Sequence, residues 1–274
     1  MIATDTKAKV HTPAQLVTVT KYSFLNYIRS RRFLVMTLIV ALVNVAMTAV
    51  VAYTRSPAFV SSTGAFYGAW WGGFVGLFLI LTVVFFGGDA ISGEFQNRTG
   101  YFLVPLPMRK STIYIGKFFA ALIASSLILA VFFAFTIANG IYYFGANVPY
   151  IFLESAFFAW VVLLAALSFT FMFSSLFKSA VVSVLLTVIM IIFVFNIIQA
   201  ISTTLLNIEP WFLLSYAVQI ITDVLVVPYP AHYSSFPIPN TWNPTIPEGL
   251  AILAGYFLLC GVIGLILFER KEFT

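Results

Sequence analysis

The chain has 274 residues, 61% of them hydrophobic and 8% charged, with a formal net charge of +5. Soluble domains carry about 25% charged residues, and a water-soluble chain of this length needs far more polar surface to stay dispersed. The composition excludes a soluble globular protein and predicts an all-α, polytopic membrane protein.

Residues 1–12 read as a polar tail without the apolar core of a secretory signal, so no cleavable signal peptide is expected. Thr12 followed by Pro13 is a helix-start pattern. Beyond it Leu16, Val17, Phe24, Tyr27 and Ile28 share one helical face, Gln15, Asn26 and Arg29 fall away from it, and Lys21 borders it. Such a basic amphipathic helix lies in the membrane interface; the simpler alternative is a basic anchor for the first span.

Six segments approach or exceed the roughly 20 apolar residues that cross a bilayer. They are 33–53, 66–88, 118–145, 155–177, 180–206 and 250–268, and none contains Asp, Glu, Lys, Arg or His. In the first span Thr37, Asn44 and Thr48 form a polar stripe, and in the fifth Asn196, Gln199, Thr203 and Asn207 form another. Each stripe is either glue between neighbouring helices or the lining of a substrate path, with Asn44, Thr48, Asn196, Gln199 and Thr203 as its candidates. Gly64, Gly68, Gly72 and Gly76 recur every four residues into the second span, a groove that admits another helix of this chain or of a second subunit.

The 89–117 loop holds six of the chain's 23 charged residues. A simple reversal needs about five residues, so a longer patterned loop suggests a surface for a partner outside the bilayer. Residues 94–103 predict about three helical turns, with Glu94 and Arg98 in the favourable order four apart. Tyr101, Phe102 and Leu103 add an apolar patch, and Pro105 and Pro107 stop the helix. A bare solvated turn is the alternative reading.

Residues 207–249 form a separate outer element. The stretch 211–227 is apolar but interrupted by Asp223, and six prolines follow it between Pro228 and Pro247. A full crossing there would carry Glu269, Arg270 and Lys271 to the outer side, against the charge bias, so a re-entrant or interfacial helical element is expected.

With both termini cytosolic, 13 of the 14 Lys and Arg residues fall inside and only Arg55 falls outside. The net positive charge is mostly this bias and gives no support to nucleic acid as a partner. No catalytic constellation is visible. Gly116-Lys117 is followed by Phe118 and lacks the upstream glycine of a phosphate-binding loop, so ATP would be bound by another chain. His11 and His232 fall on opposite sides, Cys260 lies within the last span, and no metal site is expected. The spans lack the mid-membrane carboxylate or histidine that proton-coupled carriers use.

The run Ile91-Ser-Gly-Glu94, then Arg98-Thr99, Pro107-Met-Arg109 and Ile113-Tyr-Ile-Gly116-Lys117 resembles the cytosolic signature of type-2 ATP-binding-cassette (ABC) export permeases. The six-span layout, the interfacial first helix and the ending Phe268-Glu-Arg-Lys-Glu-Phe273 extend the resemblance over nearly the whole chain. Arg98 and Gly100 depart from the glycine and leucine the family often has there.

The resemblance implies one permease domain over 1–274. Within it lie a cytosolic tail and interfacial helix at 1–32, a coupling loop at 89–117 and the outer element at 207–249. It also implies a non-catalytic, multi-pass subunit in the cell membrane, paired with a second identical or related permease. ATP and Mg would be held by a cytosolic ABC ATPase. Glu94, Arg98, Tyr101 and Phe102 would dock that ATPase, and Arg109, Lys110 and Lys117 would anchor the loop at anionic headgroups. The uncharged spans favour an apolar or amphipathic cargo moved outward. An ATP-independent carrier or channel, and a scaffold holding a cytosolic partner, are the competing readings.

Overall fold

The computed structural model describes residues 12–56, 59, 61–97, 108–234 and 241–271. The chain opens with helix α1, Thr12–Arg29. It breaks at Ser30, whose extended backbone caps α2, Arg31–Thr54, with Oγ accepting from Phe33 N at 3.3 Å. This one-residue break separates α1, which packs on Lys110–Phe144, from the first candidate span.

The remaining long helices follow in order. The segment Thr63–Gln96, here α3, has a π-helical turn at Gly68–Gly72, an α-helical run Gly73–Gly87 and a terminal short helix Ser92–Gln96 set off by a turn. Helix α4 is Lys110–Phe144, α5 is Tyr150–Leu176 and α6 is Ala180–Leu205, the last with π-helical stretches at Ile189–Val194 and Ile201–Leu205. Two short helices, α7 (Leu214–Val218) and α8 (Ile220–Asp223), lead to a two-stranded antiparallel ribbon. Its strands are β1 (Tyr233–Ser234) and β2 (Thr241–Trp242). Helix α9, Ile246–Arg270, closes the bundle. Among the described residues α2, α3, α4, α5, α6 and α9 are long and apolar enough to cross a membrane.

Lipid tails are as apolar as leucine, so these helices associate through close packing and polar contacts rather than through exclusion of water. The centre belongs to α3 and α5, whose most apolar windows are 61% and 67% buried, whereas α2 and α6 reach 22% and α9 only 17%. Aromatic rings fill the middle. Trp71 stacks on Phe132 at 5.1 Å, Phe133 stacks on Phe152 at 5.1 Å, and Phe78 meets Phe132 edge-on at 4.8 Å. Gly116 lets α1 lie on α4, because a Cβ there would come within 2.7 Å of Val19 Cγ1.

The outer element is pinned rather than spanning. Helices α7 and α8 are too short to cross, and Leu214, Tyr216, Ala217, Ile220 and Ile221 are buried. Ser155 Oγ donates to the Ile221 carbonyl while accepting from Trp71 Nε1 at 3.0 Å, and Tyr256 OH donates to Phe212 O at 2.9 Å. Gly72 faces Thr222 and Leu225 of this element, while Gly64, Gly68 and Gly76 face open space. The glycine groove is therefore partly filled from within the chain.

Candidate functional site

The end of α3, from Phe86 through the turn to the short helix Ser92–Gln96, sits where six other helices converge. Ile91 N and Ser92 N both donate to Ser174 Oγ of α5, at 2.9 and 3.0 Å. Gln96 Oε1 accepts from Ala180 N, the first residue of α6, at 2.7 Å. Glu94 forms an ion pair with Lys117 of α4, and Lys117 Nζ also donates to Ala90 O at 3.1 Å. Arg32 of α2 pairs with Asp89, and Tyr27 OH of α1 donates to Phe86 O at 3.0 Å. From the last helix, Phe268 meets the Phe95 ring edge-on, and Lys271 Nζ lies 4.3 Å above that ring. A displacement of this short helix would therefore bear directly on α4, α5, α6 and α9.

The charged residues of the loop have distinct placements. Lys117 is only 13% exposed and faces Glu94, so it holds the loop base from inside. Lys110 Nζ donates to Glu269 O at 2.9 Å and Lys271 O at 3.1 Å, bracing the end of α9. A cation suits a helix C-terminus, where carbonyls lack intrahelical partners. Arg109 precedes α4 as its exposed N-cap residue. Arg98, Tyr101 and Phe102 lie outside the described residues, as does the part of the expected 94–103 helix beyond 97.

An open groove of about 890 Å³ separates α1 from this helix, lined among others by Asn26, Asp89, Glu94, Asn97 and Lys117. Burial pushes the Tyr27 phenol well above its ordinary pKa, and the Asp89 carboxylate adds to the shift. Its hydroxyl thus stays a donor to Phe86 throughout the physiological range. Burial, with help from the nearby Lys178 charge, lowers Lys271 to about 8. Its ammonium is satisfied by Ser175 O at 2.9 Å and Phe177 O at 2.7 Å.

The two polar stripes separate in the structure. Asn44 is buried, donates to Val40 O at 2.7 Å and accepts from Trp70 Nε1 at 3.1 Å, while Thr48 Oγ1 donates to Asn139 Oδ1 at 2.9 Å. That stripe binds α2 to α3 and α4. The α6 stripe is instead only partly covered by the chain, with Gln199 and Thr203 half-buried. Asn196 is exposed and turns back onto its own helix, donating to Ile191 O at 3.3 Å and Ile192 O at 2.9 Å. Thr203 Oγ1 donates to Gln199 O at 2.9 Å. Its neighbours are the π-helical turns, which recur at functional sites.

Sequence reasoning singled out Glu94 and Lys117 but missed Ser174, Gln96, Asp89–Arg32 and Phe95–Lys271. A serine in an apolar run and a lysine at a chain end carry no local sign of the partner that folding brings to them. The Ser-Phe-Lys pattern of such contacts emerges only once α5 and α9 run side by side.

No curated protein matches the chain at a significant level. A family profile described as ABC-2 family transporter protein matches residues 17–273. That range takes in most of α1, all six candidate spans, the helix beside Lys117 and the outer element, which are the features laid out above. By that match and its six apolar helices, this multi-pass membrane protein belongs to the ABC-2 transporter family.

Proposed function

We propose that the chain is the permease subunit of an ATP-driven exporter, and that the Ser92–Gln96 helix carries motion from a cytosolic ABC ATPase to the spans. The family normally works with such an ATPase. The observation that carries the reading is the convergence of α4, α5, α6 and α9 on this one short helix, with α1 and α2 held to Phe86 and Asp89 just before it. Docking of the ATPase involves Glu94 together with Arg98, Tyr101 and Phe102, next to the groove under α1. ATP and Mg belong to that partner, whose closure pushes the helix against Ser174, Ala180 and Lys117.

A second permease copy or relative completes the path. The α6 stripe supports this: Asn196 is exposed and Gln199 and Thr203 are half-buried, and an amide facing lipid is costly whereas one facing a partner or a hydrated path is not. The cargo is apolar or amphipathic and moves outward, in keeping with spans that carry no charge over 118–145, 155–177 and 180–206.

The test is purification of wild-type and Glu94→Lys/Arg98→Glu chains from native membranes under mild detergent. The wild type is expected to bring down an ABC ATPase in stoichiometric amount, and the charge-reversed chain to insert normally yet recover much less of it. Equal recovery in both would refute the docking assignment, and no ATPase with either would favour a carrier or scaffold.

A further inference from the structure

At the end of the bundle opposite Glu94, three side chains from three segments meet. Ser155 and Ser174, which mark the two ends on α5, are separated by about 28 Å of helix. Glu209 lies between α6 and α7, His232 just before β1, and Glu248 in the first turn of α9. One ligating atom from each lies within 4.8 Å of the others. We propose that Glu209, His232 and Glu248 form a divalent-metal site of zinc-type preference, which staples the outer element to the start of the last span.

The orientation of each ligand supports this. His232 Nδ1 lies 2.9 Å from the Asn243 carbonyl, which accepts only from a protonated nitrogen. In the neutral ring that leaves the Nε2 lone pair free, 3.5 Å from Glu209 Oε2. An imidazole fixed through its other nitrogen by a carbonyl is the usual outer arrangement of a metal-bound histidine. Tyr216 OH donates to Glu209 Oε1 at 2.9 Å, leaving Oε2 for a metal. The 3.5 Å separation of the two donor atoms is close to the edge of a tetrahedral shell, about 3.3 Å for ligands at 2.0–2.1 Å. Glu248 Oε2 is held by Thr245 N at 3.3 Å and lies 3.9 Å from His232 Nδ1, and the Glu248 carboxyl also meets that of Glu209, so two acidic groups are drawn together beside the ring.

The donor set chooses the ion. One imidazole and two carboxylates suit zinc with water in a fourth place. Calcium takes six to eight oxygens and magnesium an octahedral shell kept largely as water, while copper(I) prefers sulfur. The half-exposed His232 edge leaves a route for the ion to enter.

The experiment titrates zinc chloride into chelator-stripped full-length chain in nanodiscs, by calorimetry and by thermal melting. One zinc per chain is expected, with a raised melting temperature and no competition from a large excess of magnesium or calcium chloride. Glu248→Gln keeps a side chain able to serve the helix cap, and His232→Ala removes the nitrogen. Each should weaken zinc by at least about tenfold and abolish the melting shift. If His232→Ala does not fold, Glu209→Gln takes its place with the same expected loss. Absence of stoichiometric zinc, equal affinity in the folded variants, or equal affinity for calcium would overturn the assignment.

Discussion

Gly116 and Lys117 are adjacent on α4 and meet different partners. The glycine leaves room for Val19 at a crossing where a Cβ would stand 2.7 Å from Val19 Cγ1, and the lysine reaches Glu94. Overfilling a packed contact costs about 1–3 kcal/mol. Gly116→Ala should therefore lower the melting temperature of the purified chain, and adding Val19→Ala should recover most of the loss. A double variant no better than the single one would show that α1 does not rest there. Asp223 supplies a second test at this scale. Burial raises its carboxyl from the ordinary 3.8 to about 6. The raised value means that the folded chain holds the proton more tightly than the unfolded one. The associated stability is full below pH 3.8 and is lost as pH rises through about 6. After discounting for partial exposure the effect is roughly 1–2 kcal/mol. Melting temperatures taken from pH 4 to 7 should fall in the wild type and fall less in Asp223→Asn; parallel curves would remove Asp223 from the account.

Among elements, the helix Ser92–Gln96 depends on Ser174 more than on any property of its own five residues. Its two donors, Ile91 N and Ser92 N, share that one hydroxyl in a buried place. Ser174→Ala leaves both without an acceptor, at about 1–3 kcal/mol for each unsatisfied group. The expected result is a destabilised chain that still recruits its ATPase but stimulates it less; full stimulation would mean that motion travels elsewhere. On α6, replacing Asn196 and Gln199 with leucine should reduce export while leaving ATPase recovery unchanged, and normal export would make them ordinary packing residues. The spans were legible because runs such as 155–177 are long, apolar and free of charge, and a charged side chain in hydrocarbon is costly. Their ends were less so. Helix α4 begins at Lys110 rather than near 118, since backbone hydrogen bonding continues past the membrane edge that charge marks. The π turns of α6 and the meeting of Glu209, His232 and Glu248 left no local signal. Both depend on how distant segments pack, and the three ligands share no sequence spacing.

For the molecule as a whole, burial is uneven in a way that bears on assembly. The windows of α3 and α5 are mostly covered, whereas α2, α6 and α9 are largely open. Open apolar faces suit lipid, but the polar stripe on α6 marks one of them as different. The outer element, pinned through Ser155 and Tyr256, caps one end, and the helix beside Lys117 closes the other. A push at Glu94 thus meets a connected frame rather than a loose loop. The most direct measurement is ATP hydrolysis by the co-purified complex in nanodiscs, comparing wild type with Glu94→Lys/Arg98→Glu. The account predicts a stoichiometric ABC ATPase on the wild type, whose association and membrane-dependent hydrolysis both fall in the charge-reversed chain. A charge-reversed chain that binds and stimulates the ATPase as the wild type does, or a wild type that binds none, would contradict it.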